Sequence, residues 1–366
     1  MNNFRADQSF NESDNPLITL IVVNYNIATN KNIILSGLKA ILSLDYRPLE
    51  IIIVDNGSTD DSYKIINQLL RSMSVEDVRV KLLRLSRNYG FARANILAYK
   101  FRSKESQYIG LINNDLVPEL HSLAILADFL KRHPDVAGIQ GKILDWKGEY
   151  IDSADLYLTE QWTPTSLGRG LKASSRNSPR VVTYVDGAYS LYRVEAIEHV
   201  GGLFLPWFFM WGDDYELGIR LWRSGYKLVY LPIIVGRHYR SATIRGNLGQ
   251  SYSYWRVYSN LAVMLIYDDF WLVNFLFKSL VLIVRAILEH DKYLIAGCMH
   301  ALKVGLKLRR KMCKFRYTKL REPKLKVDML RLALFIARMF IRHGVKKTLT
   351  HIPGIYQKFL LWTERK

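Results

Sequence analysis

The stretch IIIVDNGSTDDS, residues 51–62, is a run of four apolar residues closed by an acid and a string of small polar residues. A run this short and this β-branched reads as a strand buried on both faces, the kind found in a parallel sheet covered by helices. Such a strand delivers its last residue, Asp55, to the carboxyl edge of the sheet, where ligands of open α/β sheets bind. Three further runs repeat the pattern: LITLIVVNYN (17–26), VRVKLLRL (78–85) and QYIGLINND (107–115). Helical periodicity falls between them, at 31–43, from about Thr59, at 90–103 and at 119–132. The alternation predicts an α/β fold with a mostly parallel sheet, and it sets Asn24, Asp55 and Asp115 along one edge.

After Asp145 the rhythm breaks. Residues 160–180, without a period and rich in Gly, Ser, Pro and Arg, read as a surface loop. Order returns with VVTYVDGAYSLYR (181–193) and a helix from about Val194. Beyond residue 250 long apolar segments alternate with Arg and Lys, so the expected division is a polar leader (1–16), a catalytic domain (17–250) and a helical region (251–366).

The net charge of +19 is concentrated at one end: residues 297–366 hold 19 Lys and Arg against Glu322, Asp328 and Glu364, and so contribute +16. Asp268, Asp269, Lys278 and Arg285 are expected to interrupt any bilayer-spanning window in LAVMLIYDDFWLVNFLFKSLVLIVRAIL. Lys278 and Arg285, seven apart, share a helix face. Basic amphipathic helices of this type point to peripheral binding at an anionic membrane surface, with the cations toward lipid, and away from nucleic acid. The leader lacks an apolar run of signal-peptide length, so the cytoplasmic face of the cell membrane is the expected location. Cys298 and Cys313, the two cysteines, are expected to be reduced and packed.

Six blocks in order carry a resemblance: VVNYN (22–26), the opening stretch, RNYGFARAN (87–95), LINNDLVP (111–118), DGAYSLYR (186–193) and FFMWGDDYELGIRLWRSGY (208–226). They resemble the family-2 inverting glycosyltransferases of the GT-A fold, in the branch of rhamnosyltransferase-like and galactofuranosyltransferase-like enzymes. The resemblance implies a nucleoside diphosphate sugar donor, with UDP- or dTDP-sugars favoured, a glycan or lipid-linked acceptor, and Mn2+ or Mg2+. It implies donor contacts from Asn24, Asn26, Asp55, Asn88, Gly90, Asn114 and Asp186; Arg93 departs from the family's pattern, where glycines are common, and is a donor-phosphate contact if it points inward and a solvated residue if it does not. Asp115 stands in the place of the family's acidic metal motif, and His238, after a further strand, is the implied second ligand. Asp214 is the implied general base, with Trp211, Trp207 and Asp213 on the acceptor side.

The chemistry of these residue types fits those roles. A carboxylate accepts hydrogen bonds from base N–H groups or ribose hydroxyls, as Asp55 would. Oxygen and imidazole donors suit a divalent cation that neutralises charge on a departing diphosphate. A carboxylate facing the acceptor hydroxyl can take its proton. Several of these residues also have structural readings: Thr59 and Asp60 as helix caps, Asp186 as a turn residue, and Asp213 with Glu216 as a capping box that would keep Asp214 ionised. Two other functions share part of this chemistry. A nucleotidyltransferase would need a basic Gly-rich loop after the first strand, which VVNYNIATN lacks, and a non-catalytic nucleotide-sugar scaffold would bind without turnover.

Overall fold

The structure, a computed structural model, describes residues 15–73, 77–240, 251–316, 318, 320–343 and 359. Most of the expected leader, the segment 241–250 that follows His238, and nearly all of the chain after His343 lie outside the described residues. Strands β1 (Ile18–Asn24), β2 (Leu49–Asp55), β3 (Val78–Arg84) and β4 (Tyr108–Ile112) run parallel in the order β4-β1-β2-β3. Helices α1 (Lys31–Leu42), α2 (Ser62–Ser72) and α3 (Gly90–Tyr99) connect them, and α4 (Ser122–Arg132) follows the short β5 (Leu116–Pro118). Side chains that alternate along each strand feed two cores. Leu20, Val22, Ile51 and Ile53 pack on one face with Ile34 and Leu38 of α1, while Ile21, Ile52 and Val54 pack on the other with Ala92 and Ala94 of α3.

The sheet continues past β4 through antiparallel β11 (Tyr189–Arg193) to β6 (Val136–Asp145), β12 (Lys227–His238) and the short edge strand β10 (Arg180–Val181). β7 (Ile151–Ser153) pairs with β6, and β5 pairs with the end of β12 so that Leu116 faces His238. Strands are thus added to opposite sides of β1, with β2 and β3 on one and β4 on the other, and the carboxyl ends of the parallel β1 and β4 mark the switch point at which such sheets form a ligand crevice. α1 rests so closely on the turn after β4 that a Cβ on Gly37 would lie 2.3 Å from the Asn114 carbonyl oxygen. Residues 160–180 are less irregular than their composition predicts. β8 (Leu156–Thr159) folds back on β9 (Pro164–Ser166) through a tight turn closed by Thr159 and Thr163, and burial of Leu156, Leu158 and Trp162 supplies the order that local propensity lacks.

Helix α5 (Val194–His199) precedes α6 (Asp213–Arg223), and the C-terminal part comprises α7 (Ser251–Tyr267), α8 (Trp271–Glu289), α9 (Lys292–Lys311), α10 (Cys313–Arg316), β13 (Lys324–Leu325) and α11 (Met329–His343). These elements are fastened to the preceding domain. β13 adds to β8, the Thr183 hydroxyl bonds the Pro323 carbonyl, and Arg223 forms a two-pronged pair with Glu322 at 2.8 and 3.0 Å, both side chains almost fully buried. Small residues let α9 approach α7: a Cβ on Gly297 would lie 2.6 Å from the Tyr254 carbonyl oxygen.

Three expectations about this part change. Lys278 and Arg285 do share a face of α8, but it is turned inward. Lys278 lies 3.3 Å from Asn260 Oδ1, and Arg285 bonds Glu289 at 2.9 Å, so these cations are not presented to lipid. With only those two charges before Glu289, α8 is also long and apolar enough, by length and composition alone, to cross a membrane. Cys298 sits half-buried beside Ser279 at 3.2 Å, whereas Cys313 is exposed, not packed.

Removing one member of a buried ion pair strands the other in a low-dielectric setting, at about 3–5 kcal/mol. Arg223→Met is therefore expected to lower the free energy of unfolding, read from urea titration, by an amount in that range, and Arg223→Met with Glu322→Leu to recover most of it. Equal losses in the single and double variants would show that the pair does not fasten the two parts.

Candidate functional site

Three strand ends meet at the crevice. Asn24 and Asp55 are register partners on β1 and β2, and the Asn114 amide donates to Asn24 Oδ1 at 2.8 Å, which ties the end of β4 to them. Asp55 is fully buried. Its Oδ1 accepts the Ser58 N–H at 3.3 Å, and its Oδ2 accepts no hydrogen bond among the described residues, with Arg84 at 3.5 Å. An acceptor atom left without a donor at the edge of the sheet is what a ligand N–H or hydroxyl would satisfy. The turn that follows is held from outside: Asn26 Oδ1 accepts the Thr59 N–H at 2.9 Å, and Asp60 accepts from Ala28 and Ser62. Asn26 thus stitches two loops together, and Asp60 serves the first turn of α2.

The loop before α3 is built the same way. Asn88 Oδ1 accepts from Asn56 and from the Gly90 N–H at 2.8 Å, and Gly90, with φ of +78°, lies so close to the next segment that a Cβ would stand 2.3 Å from the Phe209 carbonyl oxygen. Both residues shape the crevice wall through backbone packing. Arg93 is exposed and its Nε bonds the Pro206 carbonyl, so it braces the 204–211 segment rather than facing a phosphate.

Asp115 and His238 come together at 3.0 Å, joined by the β5–β12 pairing. On its other nitrogen His238 meets Asp152 at 2.9 Å, and Arg240 Nε bonds the second oxygen of Asp152 at 2.5 Å. Burial pulls the imidazole pKa down, but the two carboxylates that bond it reverse this and raise it to about 9. Asp152, which burial would push up, is instead drawn down to about 2 by His238 and Arg240. Asp152 and Arg240 were not foreseen. An acid inside the apolar alternation of EYIDSADLY is the signal that could have found Asp152, and nothing local marks Arg240.

Among the described residues no group of three or more His, Cys, Asp or Glu side chains has the arrangement of a metal cage. The donor set nevertheless fits a divalent cation that also binds a diphosphate. Asp115 and His238 Nε2 can supply an oxygen and a nitrogen, and Asp152 on Nδ1 is the outer partner that metal-binding histidines commonly have.

The second acidic group lies at the start of α6. Gly212 (φ +84°) caps the helix with no side-chain bond, and Trp211 before it is also left-handed (φ +59°), as are Asn26 and Arg240. Non-glycine residues in this region carry backbone strain, which concentrates at ligand sites. Burial, and after it the charges of Glu216 and Asp186, lift Asp213 to about 7, with one of its oxygens unbonded. Half-buried Asp214 is pushed well up by burial and by Asp213 and Asp186. The expected capping box, with its ionised acids, is therefore corrected: Glu216 does not reach back to the helix end. It is fully buried and bonds Arg220 at 2.9 Å and the Tyr267 hydroxyl at 2.6 Å. Burial and like charge outweigh the helix N-terminus.

Asp186 engages both oxygens in its own surroundings, accepting from Ala188 N–H at 3.0 Å and Ser153 hydroxyl at 2.6 Å, which supports its turn role. Trp211 is half-buried and packs edge-on to Tyr252 with ring centres 4.8 Å apart. Trp207 lies instead under Lys307 and Lys311 of α9, with their ammonium groups 5.1 and 5.9 Å from its ring. Its contacts are with the C-terminal helices, and it does not share Trp211's surroundings.

The family described as glycosyl transferase family 2 matches residues 19–201. The chain is 33% identical over 100 residues to an uncharacterized glycosyltransferase of Haemophilus influenzae, a match spanning 27% of this chain and 36% of that relative, so it covers little more than a third of that protein. It is 23% identical over 270 residues to a dolichyl N-acetyl-alpha-D-glucosaminyl phosphate 3-beta-D-2,3-diacetamido-2,3-dideoxy-beta-D-glucuronosyltransferase of Methanococcus voltae, over 71% of this chain and 79% of the other. Among solved structures it resembles the mannosyltransferase PcManGT of Pyrobaculum calidifontis in complex with GDP-Man and Mn2+, with a TM-score of 0.51, 17% identity, and coverage of 97% and 88%. It also resembles GalNAc-T7 with UDP, GalNAc and Mn2+, with a TM-score of 0.58, 15% identity, and coverage of 82% and 58%. These likenesses show a GT-A fold.

Because the folded state prefers Asp213 protonated, the stability it carries is present at low pH and lost as pH rises through about 7. Asp213→Asn is expected to raise Tm by a few degrees at pH 8, with the gain shrinking steadily toward pH 5. A gain that did not change with pH would remove burial of this charge as its cause.

Proposed function

The chain belongs to glycosyl transferase family 2, and we propose that it is a metal-dependent inverting enzyme that moves a sugar from a UDP- or dTDP-linked donor to a hydroxyl of a lipid-linked or membrane-proximal glycan. The observation that carries this reading is the pairing of two acid groups: Asp115 clamped to His238 at the strand ends, and Asp213 with Asp214 at the head of α6. A diphosphate leaving group and an acceptor hydroxyl need such opposite treatment, one stabilised in charge and the other deprotonated.

In this reading Asp55 Oδ2 takes the nucleoside, with Asn24 and Asn114 holding the strand ends in place. Asp115 and His238 would hold Mn2+ or Mg2+, which when bound neutralises charge on the diphosphate. Asp214 is the base, because it is the less buried of the pair, while Asp213 raises its proton affinity from behind. The acceptor oxygen forms its bond to the anomeric carbon as its proton passes to Asp214. The bond from that carbon to the diphosphate oxygen breaks with its electron pair, and attack from the opposite face inverts the centre. Burial and the neighbouring acids strengthen Asp214 as a proton acceptor. Trp211 lines the acceptor side. His238 at the end of β12 is the feature that favours the rhamnosyl- and galactofuranosyl-transferring branch. The apolar and basic C-terminal helices support a peripheral place on the cytoplasmic face of the cell membrane.

Two measurements test this. Thermal stability with UDP, dTDP and GDP, each with and without Mn2+ or Mg2+, is expected to rise for one nucleotide in a metal-dependent way, by about 2.7 kcal/mol at a hundredfold excess over Kd. Asp115→Asn is expected to remove the metal dependence. Asp214→Asn is expected to keep the nucleotide shift and to lower transfer by about a hundredfold or more. Nucleotide binding with no turnover by the native chain on any donor would leave a scaffold in place of an enzyme.

A further inference from the structure

Helix α8 is amphipathic in the inverse sense. Its polar side chains are engaged with the protein: Asn274 bonds Asp268 at 2.6 Å, Lys278 approaches Asn260 at 3.3 Å, Ser279 meets Cys298 at 3.2 Å, and Arg285 bonds Glu289 at 2.9 Å. The opposite face is apolar along the whole helix, with Leu272, Val273, Leu276, Phe277, Leu280 and Ile287 each more than half exposed. Ile295 and Met299 continue the same exposure onto α9. A contiguous apolar face of this kind marks a surface for a membrane or a partner rather than for water. Beside it, the later half of α9 presents Lys303, Lys307, Arg310 and Lys311, all exposed and joined by no ion pair to an acid among the described residues. Apolar surface flanked by uncompensated cations matches the acyl boundary and phosphate layer of a bilayer.

We propose that α8 lies flat in one leaflet, its outer face embedded at the acyl boundary and its inner face seated on α7 and α9, so that the enzyme is held by hydrophobic insertion without crossing the membrane. This rests on the membrane reading given above and reverses its polarity: the inserted face carries no cation, and the basic side chains of α9 sit at headgroup level. Length and composition would let α8 span a bilayer, but spanning would pull Asn274 and Lys278 from their partners and expose them to hydrocarbon. Phe275 and Ala286, buried on the inner face, would be uncovered as well. A second copy of the chain is the less favoured occupant, because it would bring the two uncompensated basic rows together.

The test uses the full chain and vesicles. Flotation with neutral phosphatidylcholine vesicles is expected to persist in about 0.5 M salt, where surface attraction is screened, and added phosphatidylglycerol is expected to strengthen it. Phe277→Asp with Leu280→Asp is expected to lower the vesicle partition coefficient about a hundredfold, with transfer to a soluble acceptor unchanged. For depth, Val273→Cys, Leu280→Cys and Ile287→Cys, each with Cys298→Ala and Cys313→Ser, carry a fluorophore and are read with nitroxide lipids. A flat helix places all three at one shallow depth. A 19-residue helix that crosses would be about 28 Å long and would put position 280 deepest. A deepest position 280, flotation indifferent to the double aspartate variant, flotation seen only with phosphatidylglycerol and lost in salt, or a dimer dissolved by that variant would each overturn the flat helix. No flotation by the native chain would overturn the membrane reading itself, and nucleotide-dependent stabilisation would still report separately on the donor site.

Discussion

Arg220 is about 1% exposed, in the middle of the protein, and the position of the acid-bearing helix depends on how its charge is met. The guanidinium holds Glu216 one turn back on the same helix and donates to the carbonyls of Val200, Gly202 and Leu203. Glu216 in turn accepts from Tyr267 at the end of α7. A buried charge is tolerated only when its hydrogen-bonding capacity is filled. Meeting that demand ties the loop after α5, the helix carrying Asp213 and Asp214, and the C-terminal helices into one arrangement. The acid pair is therefore aimed by interactions on the far side of its own helix, away from any substrate.

Around the crevice the two acidic groups are kept in different charge states by different surroundings. Asp115 and Asp152 have an imidazole between them and Arg240 beside them, and the histidine is raised to about 9 because it serves two carboxylates. Asp213 and Asp214 have no cation paired with them among the described residues, and burial, with the charges of Asp186, Glu216 and each other, shifts both upward. The same residue type is thus held down in one place, at Asp152, and pushed up in the other, at Asp213 and Asp214, and the partner set decides which.

The C-terminal elements change what membrane contact means for this chain. A row of Lys and Arg in an apolar segment suggests cations reaching for lipid, and on α9 several are exposed. On α8 the cation faces inward because Asn260 and the Trp162 carbonyl offer it partners there, and its removal from the surface leaves an unbroken apolar face. β13 and Glu322 fasten this region to β8 and α6, so the exposed apolar face of α8 and the acid-bearing helix belong to one connected arrangement.

The α/β fold and the strand-end placement of Asn24, Asp55 and Asp115 were legible from residue order, because strand burial and turn chemistry are local: four apolar residues followed by an acid and small polar residues leave few alternatives. Asp214 and His238 could be named from their motifs, and the helix and strand between them could be counted. Asp152 could not, since it joins His238 only through the pairing of β6, β7 and β12, nor could Arg240, which stands two residues from His238 but has its partner in Asp152, 88 residues away. Nor could the inward turn of Lys278, the bracing role of Arg93 or the burial of Glu216, each of which depends on partners more than 15 residues away. Local periodicity sets which residues share a face, whereas the direction of that face is decided by long-range burial, and at α8 and α6 that decision governs both the charge state and the contact surface.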